Sequence, residues 1–287
     1  MSGKVAIISG ASRGIGFEIS KRFLLDGINI SICSRNKKYL VKAKKELEKF
    51  NIKKKIILIS KTDISNKADV KKLIKKTFKK FKKINIIVNN AGVYGPKGSI
   101  ETINISNWEK AISINLMGAL YLSYYGIPIL KKNKYSKIIQ LSGGGATNPT
   151  PYISSYGASK AAVVRLMETI SIEVKKFKID VNSVAPGPIN TKMLDEILQS
   201  GSKIVGKEIY RKALKQNKEG GSSIKPCLEL ISFLASNRSN GITGKLISAL
   251  WDNWSKWPKH LKKLSNKDVY TLRRTVGRSA GFNLGDK

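Results

Sequence analysis

Tyr156 and Lys160 stand four residues apart in Tyr156-Gly157-Ala158-Ser159-Lys160. On a helix that spacing puts both side chains on one face, a turn apart. A phenol titrates near pH ~10 in water, too high for acid–base work at neutral pH. An ammonium beside it favours the phenolate and lowers that value. The pair could then hand a proton to an alkoxide or take one from an alcohol. The same spacing also arises on a plain surface helix of a lysine-rich chain, with the lysine stem lying along the ring. The surrounding elements decide between the two readings.

A second chemical stretch opens the chain. Val5-Ala6-Ile7-Ile8-Ser9 reads as a buried strand, and a helical pattern follows from Phe17. Between them lies Gly10-Ala11-Ser12-Arg13-Gly14-Ile15-Gly16. A glycine-rich turn from strand to helix lets backbone N–H groups and a helix N-terminus face a pyrophosphate. The next strand, Asn29 to Ser34, ends in Cys33-Ser34-Arg35 with no carboxylate at its tip. A carboxylate there would bind a ribose diol, whereas a basic residue suits a 2′-phosphate. Arg13 points the same way, because a guanidinium matches phosphate geometry. Lys37 and Lys38 read as solvated surface bases that could assist.

Strands alternate with helices along the rest of the chain. Further strands are expected at 55–60, 84–89, 137–141, 179–184 and 245–250, with helices between them. One helical stretch, 106–132, has Asn115 in its middle, where asparagine competes for the backbone, and Pro128 at its far end, where a kink is expected. This alternation means an α/β fold, a doubly wound parallel sheet of Rossmann type. The expected organisation is one domain over 1–250, with a substrate lid of two short helices at 191–226 and a tail at 251–287. Loops after the first, fourth, fifth and sixth strands then share the carboxyl edge, where open α/β sheets bind ligands.

Composition narrows the function. The chain has 287 residues, enough for one large domain with a real core. Its two cysteines, Cys33 and Cys227, each lie in an apolar segment and read as reduced, buried thiols of a cytoplasmic protein. No signal-peptide pattern and no bilayer-length apolar run is read, so no membrane partner is expected. The single histidine, His260, argues against a multi-histidine metal site and a Ser–His triad, so no metal is expected. Net charge is +35, from 54 Lys and Arg against 19 Asp and Glu. The lysines are scattered rather than gathered in a stripe, which points to non-specific, salt-sensitive contact with nucleic acid rather than dedicated recognition.

The ordered set of motifs resembles the short-chain dehydrogenase/reductase family over residues 4 to about 250. It comprises the Gly10–Gly16 turn, Asn89-Asn90-Ala91-Gly92, Asn115, the Tyr156–Lys160 segment and Pro186-Gly187. The resemblance implies an oxidoreductase that moves a hydride between a nicotinamide and the carbonyl or secondary alcohol of a small substrate. NADP is the implied cofactor here, with NAD as the lesser alternative. Tyr156 would protonate the substrate oxygen. Lys160 would lower its pKa and hold the nicotinamide ribose. Asn115 would kink its helix and hold a water that relays protons to Lys160. Gly10, Ser12, Arg13, Gly14, Ile15, Gly16 and Arg35 would hold the phosphates. Asp63 and Ile64 would contact adenine, with Asn90 and Gly92 on the adenosine side. Pro186, Gly187, Ile189 and Thr191 would meet the carboxamide and phosphates. Members usually form homodimers or homotetramers, and the alanine-rich face of the Tyr156 helix suits close helix packing.

Two departures stand out. The family's serine belongs thirteen residues before the tyrosine, and that position is Gly143. Ser142 is the neighbouring hydroxyl, although adjacent strand residues point to opposite faces. A glycine run could re-aim it, so Ser142 is the candidate catalytic substitute, with a water or a backbone N–H of the Gly143-Gly144-Gly145 loop as the alternative. The other departure is the tail, where Trp251, Trp254 and Trp257 precede Leu261 and Leu264. These residues read as packing on the chain's own body or a neighbouring subunit, with a cover for the substrate pocket as the rival. The glycine loop and tail look similar to reductases of sugar and surface-polysaccharide metabolism. Two other functions compete. One is a 3-oxoacyl thioester reductase. The other is a catalytically silent NADP-binding regulatory or nucleic-acid-binding protein.

Overall fold

The structure is a computed structural model, and it describes residues 1–265, 268–276, 279, 281 and 282. Seven parallel strands form one sheet in the order β3-β2-β1-β4-β5-β6-β7. They are β1 (Val5–Ser9), β2 (Asn29–Ser34), β3 (Ile57–Lys61), β4 (Ile86–Asn89), β5 (Ser136–Leu141), β6 (Ile179–Ala185) and β7 (Lys245–Ser248). The chain runs outward from β1 to β3, then crosses back to β4 on the other side of β1. That reversal opens a crevice at the carboxyl ends of β1 and β4.

Strand alternation splits the apolar residues between two cores. Ala6, Ile8, Ile30, Ile32, Ile86 and Val88 face one core, with α1 (Gly14–Leu25), α2 (Lys37–Glu48) and later α10 (Lys225–Ala235). Ile7, Ile87, Ile138 and Val181 face the other, with α3 (Lys67–Phe81), α5 (Gly118–Leu130) and α6 (Ser154–Glu173). α4 (Ile105–Ile112) runs into α5 through a π-helical turn, Ser113–Met117, which contains Asn115. Such single π-turns recur at functional sites. The helix continues through Pro128 to Leu130. From Ile105 to Leu130 it is long and apolar enough, by length and composition, to cross a bilayer, which corrects the expectation of no such run. Part of that stretch, 39% of it, is buried, packed against β4, β5, α3 and the second core.

The lid also departs from expectation. It holds three helices, α7 (Lys192–Ser200), α8 (Ser202–Val205) and α9 (Lys207–Lys218), rather than two. Gly201 and Gly206, at φ +75° and +77°, separate them. Leu194, Ile197, Val205 and Ala213 form a small core of their own with Ile153, and Tyr94 and Tyr156 pack against it. After β7, a 3-10 segment at Trp254–His260 and α11 (Leu261–Ser265) return to the first core, where Trp257 and Leu264 are buried. Residues 266, 267, 277, 278, 280 and 283–287 of the expected tail lie outside the described residues.

Candidate active site

The β1–α1 turn is shaped by glycines. Gly10 has φ +65°, and a Cβ there would stand 2.9 Å from Ala91 Cα. A Cβ on Gly16 would meet Asn90 Nδ2 at 2.4 Å and Gly10 O at 2.7 Å. Asn90 ties the two strand ends together, donating from Nδ2 to Ser9 O at 2.8 Å. Ser9 Oγ accepts from the N–H groups of Asn90 and Ala91 at 3.0 and 3.1 Å. α2, α3, α4 and α7 are capped by the side chains of Asn36, Asn66, Asn104 and Thr191. α1 is not: Arg13 at its N-cap makes no side-chain cap, and its first turn holds no acidic residue. Its unpaired N–H groups and positive dipole end therefore open into the cleft and fit a pyrophosphate.

A cleft of about 1370 Å³ runs across the carboxyl edge. Gly10, Ser12, Arg13, Gly14, Ile15, Arg35, Asp63, Ile64, Asn90, Gly92, Ser142, Tyr156, Lys160, Pro186, Gly187, Ile189 and Thr191 all line it. Two expected site residues do not. Gly16 lies behind the turn, where it permits the close approach of α1. Asn115 lies behind Val93. Its Oδ1 accepts from Val93 N, and its Nδ2 donates to Val93 O and to Ser159 Oγ, at 2.8–2.9 Å. Asn115 thus joins the β4 loop to α6, using both amide hydrogens within the chain. The Arg13 and Arg35 side chains are exposed, and among the described residues neither guanidinium takes an ion pair or hydrogen bond. Asp63 Oδ1 accepts from Ser65 N and Oγ, which shapes the β3–α3 turn.

Lys160 is buried and donates from Nζ to Leu141 O at 2.8 Å. Gly92 leaves room for it, since a Cβ there would stand 3.6 Å from Nζ. Burial lowers the Lys160 pKa to about 8. Its ammonium lies 5.6 Å from the Tyr156 ring centroid. Tyr156 departs from the expected lowered pKa: burial pushes its phenol up, and Tyr94 adds to the shift. Desolvation by burial sets the direction of the shift. In this chain the pair starts as a neutral phenol beside a weakened ammonium, which is the proton-donating form.

Gly143 explains the missing serine in steric terms. A Cβ at that position would stand 2.2 Å from the Tyr156 hydroxyl. The phenol therefore occupies the space a side chain would need. Ser142 is 5% exposed, lines the cleft, and its hydroxyl has no partner in the chain. A buried orphan hydroxyl is costly, and a ligand atom could satisfy it. Gly144 faces open space, and a Cβ there would touch nothing within 4 Å.

Sequence reasoning missed Tyr94. Its ring meets that of Tyr156 edge-on, 4.9 Å between centroids, and only the folded β4 loop brings them together. It also missed the Leu141 carbonyl, a backbone group without a side-chain signature, and the cleft-lining Tyr270 and Thr271.

A profile of the short chain dehydrogenases matches residues 4–201. The chain belongs to that family. A relative at 32% identity over 246 residues, covering 85% of this chain and 93% of its own length, is dehydrogenase/reductase SDR family member 4 of Caenorhabditis elegans. A sorbose reductase of Candida albicans is 33% identical over 198 residues, covering 68% of this chain and 69% of its own. Among solved structures, NAD+-bound xylitol dehydrogenase superposes with a TM-score of 0.78 at 22% identity, over 86% of this chain and 97% of the other, a likeness of fold. This short-chain dehydrogenase is thus an oxidoreductase of a family acting on alcohol and carbonyl groups.

Proposed function

We propose that this enzyme is NADP(H)-dependent and interconverts a carbonyl and a secondary alcohol on a small, sugar-like substrate. The observation that carries the reading is the neutral phenol of Tyr156 with the buried ammonium of Lys160 5.6 Å from its ring centroid, on a cleft that Ser142, with its orphan hydroxyl, also lines. The nicotinamide, when bound, supplies the hydride. Tyr156 gives a proton to the substrate oxygen in reduction and takes one in oxidation. Ser142 donates a hydrogen bond to that oxygen as negative charge builds. Lys160, anchored on Leu141 O, stabilises the phenolate left behind. Asn115 holds α6 against the β4 loop, which fixes the distance between Tyr156 and the cleft floor.

The free guanidinium groups of Arg13 and Arg35, with no carboxylate at the end of β2, support NADP(H) over NAD(H). The sorbose reductase relative supports a polyol or sugar ketone as substrate class. The two buried free thiols, Cys33 and Cys227, support a reducing, cytoplasmic setting. Ile105, Tyr124 and Ile172 are exposed on α4, α5 and α6 and support a two-fold homo-oligomer through those helices. The deciding assay follows NADPH and NADH oxidation against a panel of ketoses, simple ketones and 3-oxoacyl thioesters. Ketone-dependent NADPH oxidation is expected. Cofactor binding with no turnover of any carbonyl would favour the silent regulatory protein instead.

A further inference from the structure

We infer that the segment Asp268–Arg273 is a strap fixed across the open edge of the sheet, forming the outer wall of the substrate end of the cleft. This inference rests on the oxidoreductase reading above. β7 pairs with a strand on one side only. On its other side Leu246 N donates to Tyr270 O at 2.7 Å, and Lys245 Nζ donates to Val269 O at 2.9 Å. The strap thus answers backbone that an edge strand otherwise leaves open to foreign chains.

Its second anchor is Glu168 on α6. This carboxylate is 7% exposed, a depth at which an acid needs partners. Its Oε1 accepts from Leu272 N at 2.7 Å. Its Oε2 pairs with Arg165 at 2.5 Å and with Arg273 at 3.4 Å. Arg165 also donates to Leu272 O. Arg273 reaches back to Asp268 at 2.5 Å and closes the strap on itself. The Tyr270 ring lies 4.4 Å from that of buried Trp257. Edge strand, helix and aromatic core therefore hold one short segment from three directions.

The consequence falls on the cleft. Tyr270 and Thr271 line it beside Leu246, Ser248, Trp251 and Asp252. These six residues bound the β7 end, and the strap supplies the part that the sheet cannot. A substrate reaching from Tyr156 toward β7 ends against Tyr270 and Thr271, so the strap limits substrate length. Glu168 is a positioning residue, acting through Leu272 and Arg273.

Two measurements test the strap. The first is tryptic cleavage after Arg273 and Arg274 in the full chain, which needs no turnover. Glu168→Ala should speed cleavage about tenfold by releasing the segment, while Glu168→Gln, which keeps an acceptor for Leu272 N, should speed it less. The second is kcat and KM over straight-chain ketones of rising length with NADPH. Glu168→Ala and Tyr270→Ala should each raise the long-over-short ratio of kcat/KM by about fivefold, through KM for the long ketones. Tyr270→Ala keeps the main-chain bond to Leu246 and so guards against misfolding of the other variant. Cleavage of Glu168→Ala within about twofold of wild type would overturn the strap. An unchanged length profile in both variants would overturn the wall. A wild-type chain that binds NADPH and reduces nothing would refute the oxidoreductase reading alone, and the strap would then stand or fall on cleavage.

Discussion

At the β1–β4 end of the cleft the walls are strand ends and a helix N-terminus. At the β6–β7 end they are short helices and a terminal segment. The first end joins two continuous cores, and its residues are placed by close backbone contacts such as Gly16 against Gly10 O. The second has a small core of five buried residues, with Tyr156 lying on its border. A rigid end suits a cofactor whose parts are fixed, and a separately packed end can vary with the substrate. Tyr156 belongs to both, since its helix is anchored in the main core and its ring packs against the lid.

The sharpest break in that comparison is at the shared residue. Tyr156→Phe removes the proton donor and keeps the ring. Turnover should fall at least ~10²-fold with cofactor affinity unchanged, because general acid catalysis contributes typically ~10²–10⁴-fold. Turnover within a few-fold of wild type, in a steady-state assay, would remove Tyr156 from the mechanism.

Ser142→Ala should cost about 10²-fold in kcat, as loss of one donor to a developing oxyanion does. Gly143→Ser should lower the rate rather than restore it, because the new Cβ collides with the Tyr156 hydroxyl. A Gly143→Ser variant faster than wild type would show that the phenol does not hold that space.

At the rigid end, Arg35→Ala removes one charge-assisted contact to a 2′-phosphate, valued at about 1.5–3 kcal/mol. The preference for NADP(H) over NAD(H) should shrink by roughly tenfold or more, read by titration calorimetry with both cofactors. Equal affinities in the wild type would refute the cofactor assignment.

A pH profile addresses the pair itself. Burial lowers the folded Lys160 pKa to about 8 and raises Tyr156. Tyr156 therefore stays protonated through the neutral range, while Lys160 loses its charge as pH rises through about 8. The reductive kcat should be level below that point and decline above it. A decline centred well below neutrality would implicate another group.

The smallest effect is expected in the lid. Leu194→Ala opens the satellite core, so KM should rise roughly threefold while the melting temperature barely moves, since such units open locally. A melting shift as large as that of Phe23→Ala, in the main core, would mean the two ends unfold as one unit.

Much of the rigid end was legible beforehand. β2 spans Asn29–Ser34, the bounds expected for the second strand. The glycine turn, the parallel α/β plan and the Tyr156–Lys160 face follow from local rules: period-two and period-3.6 patterns, and backbone angles that favour glycine. Nothing in those rules requires distant parts of the chain to be in place.

What the chain alone could not reveal depends on desolvation and on partners far apart in sequence. α8 is four residues long, too short for a periodicity, and Val205 is buried by packing with Ile153, Leu194, Ile197 and Ala213. The rise in the Tyr156 pKa comes from burial and from Tyr94, both set by the β4 loop and lid. Whether Ser142 or Gly143 faced the chemistry depended on where the phenol came to rest. Glu168 looks like any helix-surface acid until Leu272 and Arg273 return to it across more than a hundred residues. Local preference is written residue by residue, whereas desolvation and long-range pairing exist only once the chain has closed on itself.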